Sequence, residues 1–309
     1  MSDDLDRCLL KIDQVLNIEE LLQETIGVQE VIDSYQQDDS IFQSFYSLAG
    51  SLHVSLSEDN RFHQSGYYSQ ARMIQKAIEE AKAERVLELC CGKGFNLIYL
   101  AKQNPRVQFE GVDLMPAHIQ IAQRRSGSLN NISYRVGNIE ELEYPSGIFD
   151  IVFAVESLFH VTDLHKAMSE ALRLLKPGGR MINFDFCRTK ELDELKPNQR
   201  NAIRLADHSF VFSSSVSVNA FVELAQEVGF RVLAVDDLTC GALPDIMHLN
   251  KYVKLIFAIP ALTKKVMRVF SLRMIDGVIG WELMPSLIEE NLMGYYRIEL
   301  TRPTGKAIY

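Results

Sequence analysis

Long apolar runs are missing from this sequence. Its 309 residues contain no stretch of about 18 apolar residues, and the opening MSDDLDRCLL has no basic segment followed by an apolar one. Neither a membrane-spanning helix nor a signal peptide is therefore expected. We predict a cytoplasmic protein.

Paired cysteines and an excess of basic charge are also missing. Five cysteines are present without any C-x-x-C pair, which argues against a disulfide framework and against a structural zinc site, so no metal is expected. Lys and Arg number 32 against 41 Asp and Glu, a formal charge of −9, whereas a broad nucleic-acid-binding surface needs a basic face. The composition is 47% hydrophobic and 24% charged, which is typical of a globular enzyme-sized protein with a large core.

Short apolar runs alternate with helical stretches from Arg85 onward. This alternation is typical of βαβ units, and right-handed crossovers then place helices on both faces of the sheet. The predicted strands are RVLELC, VQFEGVDL, ISYRV, FDIVFAV, RMINFDF, RVLAVDDL and YYRIELTRP. We predict an α/β fold, a doubly wound, Rossmann-like, seven-stranded, mostly parallel sheet with N-terminal helices and a helical lid insertion. Its ligand should lie outside the carboxyl ends of the strands.

The remaining segments are helical or irregular by pattern. The first fifty residues carry apolar positions at helical spacing, among them Leu9 and Ile12, which predict two or three amphipathic helices. The predicted organisation is an N-terminal helical cap over 1–80, a ligand-binding core over 81–240 and 291–309, and lid insertions over 188–215 and 241–290. The cap is either part of the lid or a homodimer contact, and the sequence leaves both open.

A glycine loop, ELCCGKGF, follows the first strand. Gly92 and Gly94 allow the backbone to approach a ligand closely, and the next helix turns its free N–H groups toward it. A dinucleotide fingerprint would need a third glycine where Leu97 stands. Asp113 ends the second strand, a place from which a carboxylate can accept the hydrogens of both ribose hydroxyls.

Glu88, inside the first strand, decides which nucleoside cofactor fits. A carboxylate there repels a pyrophosphate and attracts a cationic amino acid group. S-adenosylmethionine has such a group and no phosphate. A nucleotide-dependent oxidoreductase is the alternative that Glu88 and Leu97 oppose.

Four motifs resemble the class I S-adenosylmethionine-dependent methyltransferases: ELCCGKG, GVDLMPAHIQIAQRR, VGNIEEL and LLKPGGRMINFDF. The resemblance implies that S-adenosylmethionine is the cofactor. Cys90 replaces the first loop glycine, so its φ must be negative or the turn must bear modest strain. Asn138 replaces an aspartate but keeps a carbonyl oxygen for the adenine amino group. A non-catalytic scaffold of methyltransferase ancestry therefore remains an alternative. The residues assigned to the cofactor are Tyr67, Glu88, Cys90, Gly92, Gly94, Asp113, Leu114, Asn138, Ile139 and Ala154.

A narrower resemblance is to the γ-tocopherol and sterol methyltransferase group, carried by FDIVFAVESLFHVTD, FDFCRT and GYY. It implies methyl transfer to carbon or nitrogen, less readily oxygen, of a lipophilic or aromatic small molecule, and a place in secondary metabolism. It also implies that Tyr67 and Tyr68 close over the cofactor.

Two residues after the fourth strand are the candidate catalytic groups. His160 is the first choice for a general base, and the alternative is that it packs or caps the segment entering the next helix. Glu156 binds a substrate cation, orients His160 or bonds to the backbone of the lid. Asp185, at the end of the fifth strand, also points toward the site by topology.

The second lid segment is strongly basic. Between Asp245 and Asp276 it carries no acid but six cations, Lys251, Lys254, Lys264, Lys265, Arg268 and Arg273. A basic amphipathic helix pair can rest on an anionic membrane surface. We favour the other interpretation, in which its apolar face covers the substrate pocket and the lysines are solvated.

Overall fold

A seven-stranded sheet forms the centre of the computed structural model, which describes residues 3–23, 50–213, 215–258 and 272–305. The strand order is β3-β2-β1-β4-β5-β7-β6, and only β7 runs antiparallel to its neighbours. The strands are β1 (Arg85–Leu89), β2 (Gln108–Asp113), β3 (Ile132–Val136), β4 (Phe149–Val155), β5 (Leu175–Arg188), β6 (Arg231–Asp237) and β7 (Met293–Thr301). The predicted doubly wound, mostly parallel sheet is confirmed.

Helices cover both faces of this sheet and one of its edges. They are α1 (Asp3–Asp13), α2 (Ile18–Leu21), α3 (Ser69–Ala81), α4 (Phe95–Gln103), α5 (Pro116–Ser126), α6 (Leu164–Leu174), α7 (Pro197–Phe210), α8 (Val218–Val228), α9 (Thr239–Phe257) and α10 (Leu272–Glu289). Their ends follow local rules. The side chain of Asp163 caps α6 by accepting the Lys166 N–H at 2.9 Å, and α8 stops at Gly229, whose φ is +111°.

Successive residues of the central strands pack into two separate cores. Val86 and Ile151 belong to the core beneath α3 and α4, and Leu87 and Val152 belong to the core beneath α6 and α8. Side chains alternate across a strand, so a strand between two helical layers must be apolar on both faces. This explains why the β1 and β4 segments read as nearly continuous apolar runs.

The carboxyl ends of β1, β2, β4 and β5 meet at one edge of the sheet. The strand order reverses between β1 and β4, and the loops after these strands diverge there to leave a crevice. The residues that follow the strand ends therefore come together, although they are far apart in the chain.

Helices α7, α9 and α10 are called lid helices here after the predicted insertions that contain them. Both α7 and α9 pack on α10, and the N-terminal helix α1 packs on α7 and α10. Leu5 and Ile12 of α1 are fully buried in the core that contains the inner residues of α7 and α10. A Cβ on Gly280 of α10 would lie 2.4 Å from the ring of Phe210 at the end of α7, so the close packing of these two helices requires glycine at this position. Among the described helices none is both long and apolar enough to cross a bilayer. The sequence patterns at Gly27, at 36–40 and over 259–271 lie outside the described residues.

Candidate functional site

A cavity of about 1080 Å³, counted out to its mouth, opens at the carboxyl edge between β1, β2 and β4. It is formed by the loops after these strands together with residues 50–53. Seven of the ten residues assigned to the cofactor line it: Glu88, Cys90, Gly92, Asp113, Leu114, Asn138 and Ile139. Both candidate catalytic residues, Glu156 and His160, line it as well. No group of His, Cys, Asp and Glu in the described part of the chain is arranged to hold a metal ion.

The glycine loop takes the left-handed conformation at three alternate positions. The φ values are +53° at Cys90, +52° at Gly92 and +76° at Gly94. Glycine is required at 94, since a Cβ there would lie 2.6 Å from the Tyr134 hydroxyl. Cys90 takes the strained alternative of the two that the sequence allowed, and an L residue in this conformation costs about 1–2 kcal/mol.

Glu88 is buried, and one of its two carboxylate oxygens accepts a side-chain hydrogen bond. Oε1 accepts a hydrogen bond from Asn96 Nδ2 at 2.9 Å, whereas Oε2 has no hydrogen-bond partner among the described residues. Burial raises the pKa of this carboxyl to about 8, and the nearby Asp113 charge adds to the effect. An ammonium group placed against Oε2 would supply the missing donor and restore the charge.

Asp113 joins the end of β2 to the glycine loop. Its Oδ2 accepts the Gly92 N–H at 2.8 Å, and its Oδ1 accepts the Met115 N–H at 2.9 Å and contacts His118 Nδ1 at 3.2 Å. These contacts fix the carboxylate at the cavity wall, and Oδ2, which makes one of them, can still accept a hydroxyl hydrogen. The sequence assigned Asp113 to a ligand only and missed its bond to the loop.

Asn138 and Glu140 close the rim of the cavity. Asn138 Oδ1, the atom that the sequence assigned to adenine, accepts the Glu140 N–H at 3.0 Å and retains a second lone pair. Glu140 Oε1 in turn accepts the N–H and hydroxyl hydrogens of Thr162, both at 2.8 Å. The loop after β3 is thereby tied to the loop after β4.

Glu156 has a left-handed backbone, with φ +48°, and accepts the Val54 N–H on Oε1 at 2.8 Å. One of the three predicted roles was a bond to the backbone of the lid, whereas the backbone that Glu156 bonds to in the structure is that of Val54, in the predicted N-terminal cap. The other two roles stay predictions. Burial raises the pKa of Glu156 to about 8, and the neighbouring Asp185 and Asp245 act in the same direction. The carboxyl is therefore mostly protonated at neutral pH.

His160 lies one turn beyond Glu156, in a short 3₁₀ turn. Its Nδ1 lies 2.9 Å from the Val211 carbonyl oxygen, so Nδ1 carries the hydrogen. Burial lowers the pKa of the ring to about 4, which leaves it neutral at physiological pH. The contact with Val211 anchors the ring to the end of lid helix α7.

Three further predicted residues lie near the cavity without lining it. The Tyr67 hydroxyl is fully buried and donates to Asp245 Oδ1 at 3.3 Å. Gly94 begins α4 behind the loop, and Ala154 is buried within β4. Asp185 accepts the Leu158 N–H at 3.2 Å and so shapes the turn that carries His160.

The segment over residues 50–57, here called the strap, was missed by sequence reasoning. Gly50, Leu52 and His53 line the cavity, and all of 51–56 is buried or half-buried. It has no regular secondary structure. Side chains hold part of its backbone, with Ser55 N–H donating to Asp245 Oδ2 at 2.7 Å and Gln70 Nε2 donating to the Val54 carbonyl at 2.8 Å. Its last N–H groups donate to backbone carbonyls, that of Ser57 to Gly241 at 2.9 Å. No periodic pattern in GSLHVSL could have revealed this placement.

Comparison with known proteins agrees with this site. Residues 80–229 match a family described as a methyltransferase domain. An O-methyltransferase from Aspergillus sclerotiorum, resE, is 29% identical over 66% of this chain and 77% of its own length. A protein from Oryza sativa subsp. japonica named probable tocopherol O-methyltransferase is 27% identical over 57% of this chain and only 52% of its own length. These matches support a class I S-adenosylmethionine-dependent methyltransferase.

Two solved structures share the fold of this chain. Phosphoethanolamine N-methyltransferase 2 from Haemonchus contortus, in complex with S-adenosyl-L-methionine, matches with a TM-score of 0.67 and 20% identity, over 91% of this chain and 61% of that one. The cyclase SpnF matches with a TM-score of 0.70 and 19% identity, over 91% and 98%. At this level of identity the likeness shows the fold alone. The chemistry has to be argued from the site.

The methyltransferase cavity fits S-adenosylmethionine by its donors and acceptors. Glu88 offers a buried, unpaired oxygen to an ammonium group, Asp113 offers a fixed carboxylate to a ribose, and α4 directs its first N–H groups toward the loop. A buried acid beside the loop opposes a diphosphate at the same position.

Proposed function

We propose that this enzyme transfers the methyl group of S-adenosylmethionine to a carbon or nitrogen of a lipophilic or aromatic small molecule. The observation that carries the cofactor half of the proposal is the buried Glu88 carboxyl, whose Oε2 lacks a partner among the described residues. The acceptor half depends on the walls around Glu156 and His160.

Apolar side chains in the cavity wall support a lipophilic acceptor. Val155 and Val161 flank Glu156 and His160 among the residues that line the cavity, and Leu52 and Phe95 add to the apolar lining. Behind this lining, the Phe159 ring packs 4.5 Å from the His160 ring, measured between centroids, and holds it in place. An apolar lining of this kind favours an aromatic or prenylated acceptor over a highly polar one.

Alignment supplies most of the catalysis in this scheme. The bound cofactor offers an electrophilic methyl on a sulfonium, and positioning a nucleophile against it can lower the barrier by about 7–11 kcal/mol. Glu156, protonated and fixed by Val54, can donate a hydrogen bond to an acceptor. His160 is neutral with the hydrogen on Nδ1, so it would take a proton on Nε2, and its lowered pKa suits only an acceptor that becomes strongly acidic on methylation, such as an aromatic carbon.

Calorimetric titration with S-adenosylmethionine and S-adenosylhomocysteine tests the cofactor half. Both should bind with a one-to-one stoichiometry, and the absence of binding of either at high micromolar concentration would overturn it. The same titration with NADH separates the enzyme from a nucleotide-dependent oxidoreductase, since NADH should produce no heat.

Transfer of a labelled methyl group tests the acceptor half. A panel of phenols, prenylated quinols and hydrophobic amines should contain an acceptor, and His160→Asn should lower its turnover by about 100-fold or more if the ring acts as a base. Asn keeps a donor near the Nδ1 position, so the contact with Val211 is retained as a control. Undiminished turnover in this variant would reduce His160 to a packing residue.

Contact of the lid with a membrane surface is a separate proposal. Tyr252 and Leu255 of α9 are 52% and 74% exposed, beside the exposed Lys251 and Lys254. Lys264, Lys265 and Arg268 lie outside the described residues. Sedimentation with anionic liposomes at low salt tests it: protein in the pellet would support membrane contact, and protein left in the supernatant would support the interpretation favoured from the sequence, in which these lysines are solvated.

A further inference from the structure

A chain of two hydrogen bonds links the strap to the cofactor acid. His53 Nε2 lies 3.2 Å from Asn96 Oδ1, and Asn96 Nδ2 donates to Glu88 Oε1 at 2.9 Å. The amide can donate only from Nδ2, so its oxygen faces His53. The other ring nitrogen, Nδ1, lies 3.1 Å from the Val54 carbonyl oxygen, and a neutral imidazole has one hydrogen, so the ring donates to only one of these two oxygens.

All three members of the chain are buried, with exposed fractions of 5% for His53, 4% for Asn96 and 3% for Glu88. When an ammonium ligand is bound, Glu88 is a carboxylate, and an Asn96 amide rotated by 180° would then present its oxygen to that charge, which is repulsive in a buried site. His53 opposes this rotation when its hydrogen is on Nε2, because Asn96 Oδ1 then accepts it. The contact thereby keeps the Asn96 N–H on Glu88 Oε1.

His53 is itself held in place by the strap and by α4. Its N–H donates to Ser51 Oγ at 3.3 Å, and its ring packs edge-on to Phe95 at 5.6 Å between centroids. The next residue, Val54, donates to Glu156. One segment of irregular backbone thus contacts the acid on the acceptor side directly and reaches the acid on the cofactor side through Asn96.

We infer that His53 is a positioning residue for the cofactor, acting through Asn96 to orient the Glu88 carboxylate that receives the ammonium group. This rests on the proposed function, since it needs a cofactor that carries an ammonium group. The opposing explanation is that His53 only fills space under the strap.

Two ligands separate these explanations. S-adenosylhomocysteine has the ammonium group, and 5′-methylthioadenosine has the same nucleoside without the amino acid part. His53→Leu should weaken S-adenosylhomocysteine by about fivefold to tenfold in calorimetry, the effect of one buried hydrogen bond, and leave methylthioadenosine within about twofold. Equal weakening of both ligands would show a merely structural role and overturn the inference.

A conservative variant and a double variant sharpen the result. His53→Gln keeps a donor near the Nε2 position and should restore S-adenosylhomocysteine affinity to within about threefold of the parent protein. His53→Leu with Asn96→Leu should bind no more weakly than Asn96→Leu alone, because His53 acts only through the amide. Additive losses, or no rescue by His53→Gln, contradict the inference.

The matched control is His165→Leu, an exposed histidine on α6, which should leave both affinities unchanged. Should His53→Leu not fold, Asn96→Leu makes the same comparison from the other side of the contact. Failure of the parent protein to bind S-adenosylhomocysteine is a different outcome, since it overturns the proposed function itself.

Discussion

The two halves of the cavity are built in different ways. On the cofactor side, Glu88, the glycine loop and Asp113 come from one βαβ unit, and each is placed by the strand that precedes it. On the acceptor side, Glu156 is held by Val54, and His160 by Val211, from segments distant in the chain. A site made by local geometry can be found from a motif, whereas one made by long-range hydrogen bonds requires the folded chain.

The largest expected effect is a loss of cofactor affinity from a single substitution on the cofactor side of the cavity. Glu88→Gln removes the charge that faces the ammonium group and should weaken S-adenosylhomocysteine by about 100-fold, the effect of losing a charged hydrogen bond. Binding of methylthioadenosine should hardly change. The measurement is calorimetric titration, and comparable affinities of variant and parent for S-adenosylhomocysteine would show that the acid does not contact the ligand.

Substitutions of Glu156, on the acceptor side of the cavity, should leave the cofactor site intact. Glu156→Ala leaves the buried Val54 N–H without an acceptor and should lower the free energy of unfolding by about 1–3 kcal/mol. Glu156→Gln keeps an acceptor oxygen and should cost less than about 1 kcal/mol. Urea denaturation measures both. A loss of S-adenosylhomocysteine affinity in Glu156→Ala as large as that in Glu88→Gln would mean that the two halves are not separate.

Cofactor affinity should depend on pH through the cofactor half. The pKa of Glu88 is raised to about 8, so the acid is protonated in the free protein below that pH, while the ammonium-bound form requires the carboxylate. Binding must then release a proton, and affinity should rise by up to about tenfold per pH unit between about pH 6 and 8 before levelling off. About one proton is released for each ligand bound at pH 7. The binding enthalpies measured in phosphate and in Tris should therefore differ by about the difference between the ionisation enthalpies of the two buffers. Equal heats in the two buffers would contradict this.

The smallest expected effect concerns the strain at Cys90. Cys90→Gly relieves an L residue at φ +53° and, after the greater flexibility of glycine in the unfolded chain is subtracted, should stabilise the protein by up to about 1 kcal/mol. Cys90→Ala keeps the Cβ and serves as the control. Thermal unfolding measures both. A Cys90→Ala protein that is as stable as Cys90→Gly would show that the turn carries no strain.

The sheet and the cofactor loop were predictable because each depends on neighbours in sequence. The apolar runs gave all seven strands, and the acid before the glycine pair gave the cofactor that the comparison with known methyltransferases supports. The strap was not predictable. His53 and Leu52 lie in a segment without periodicity, and nothing near them in sequence indicates that Glu156, Asp245 and Asn96 hold it.

The partners of individual site residues also depend on long-range contacts that no sequence motif shows. Tyr67 was assigned to the cofactor by resemblance, yet in the fold its hydroxyl bonds to Asp245 of lid helix α9. Three roles were predicted for Glu156, and only the folded chain shows that its carboxylate accepts the Val54 N–H.

The order of strands and helices, the left-handed glycine loop and the acid that faces it were determined by the sequence itself, because backbone sterics and side-chain alternation act over a few residues. The tertiary structure alone decided which carboxyls are buried and protonated, which backbone amide each one accepts and which segment covers the cavity. Desolvation and hydrogen bonding depend on what is brought close in space, and most of those partners lie dozens of residues or more apart in the chain.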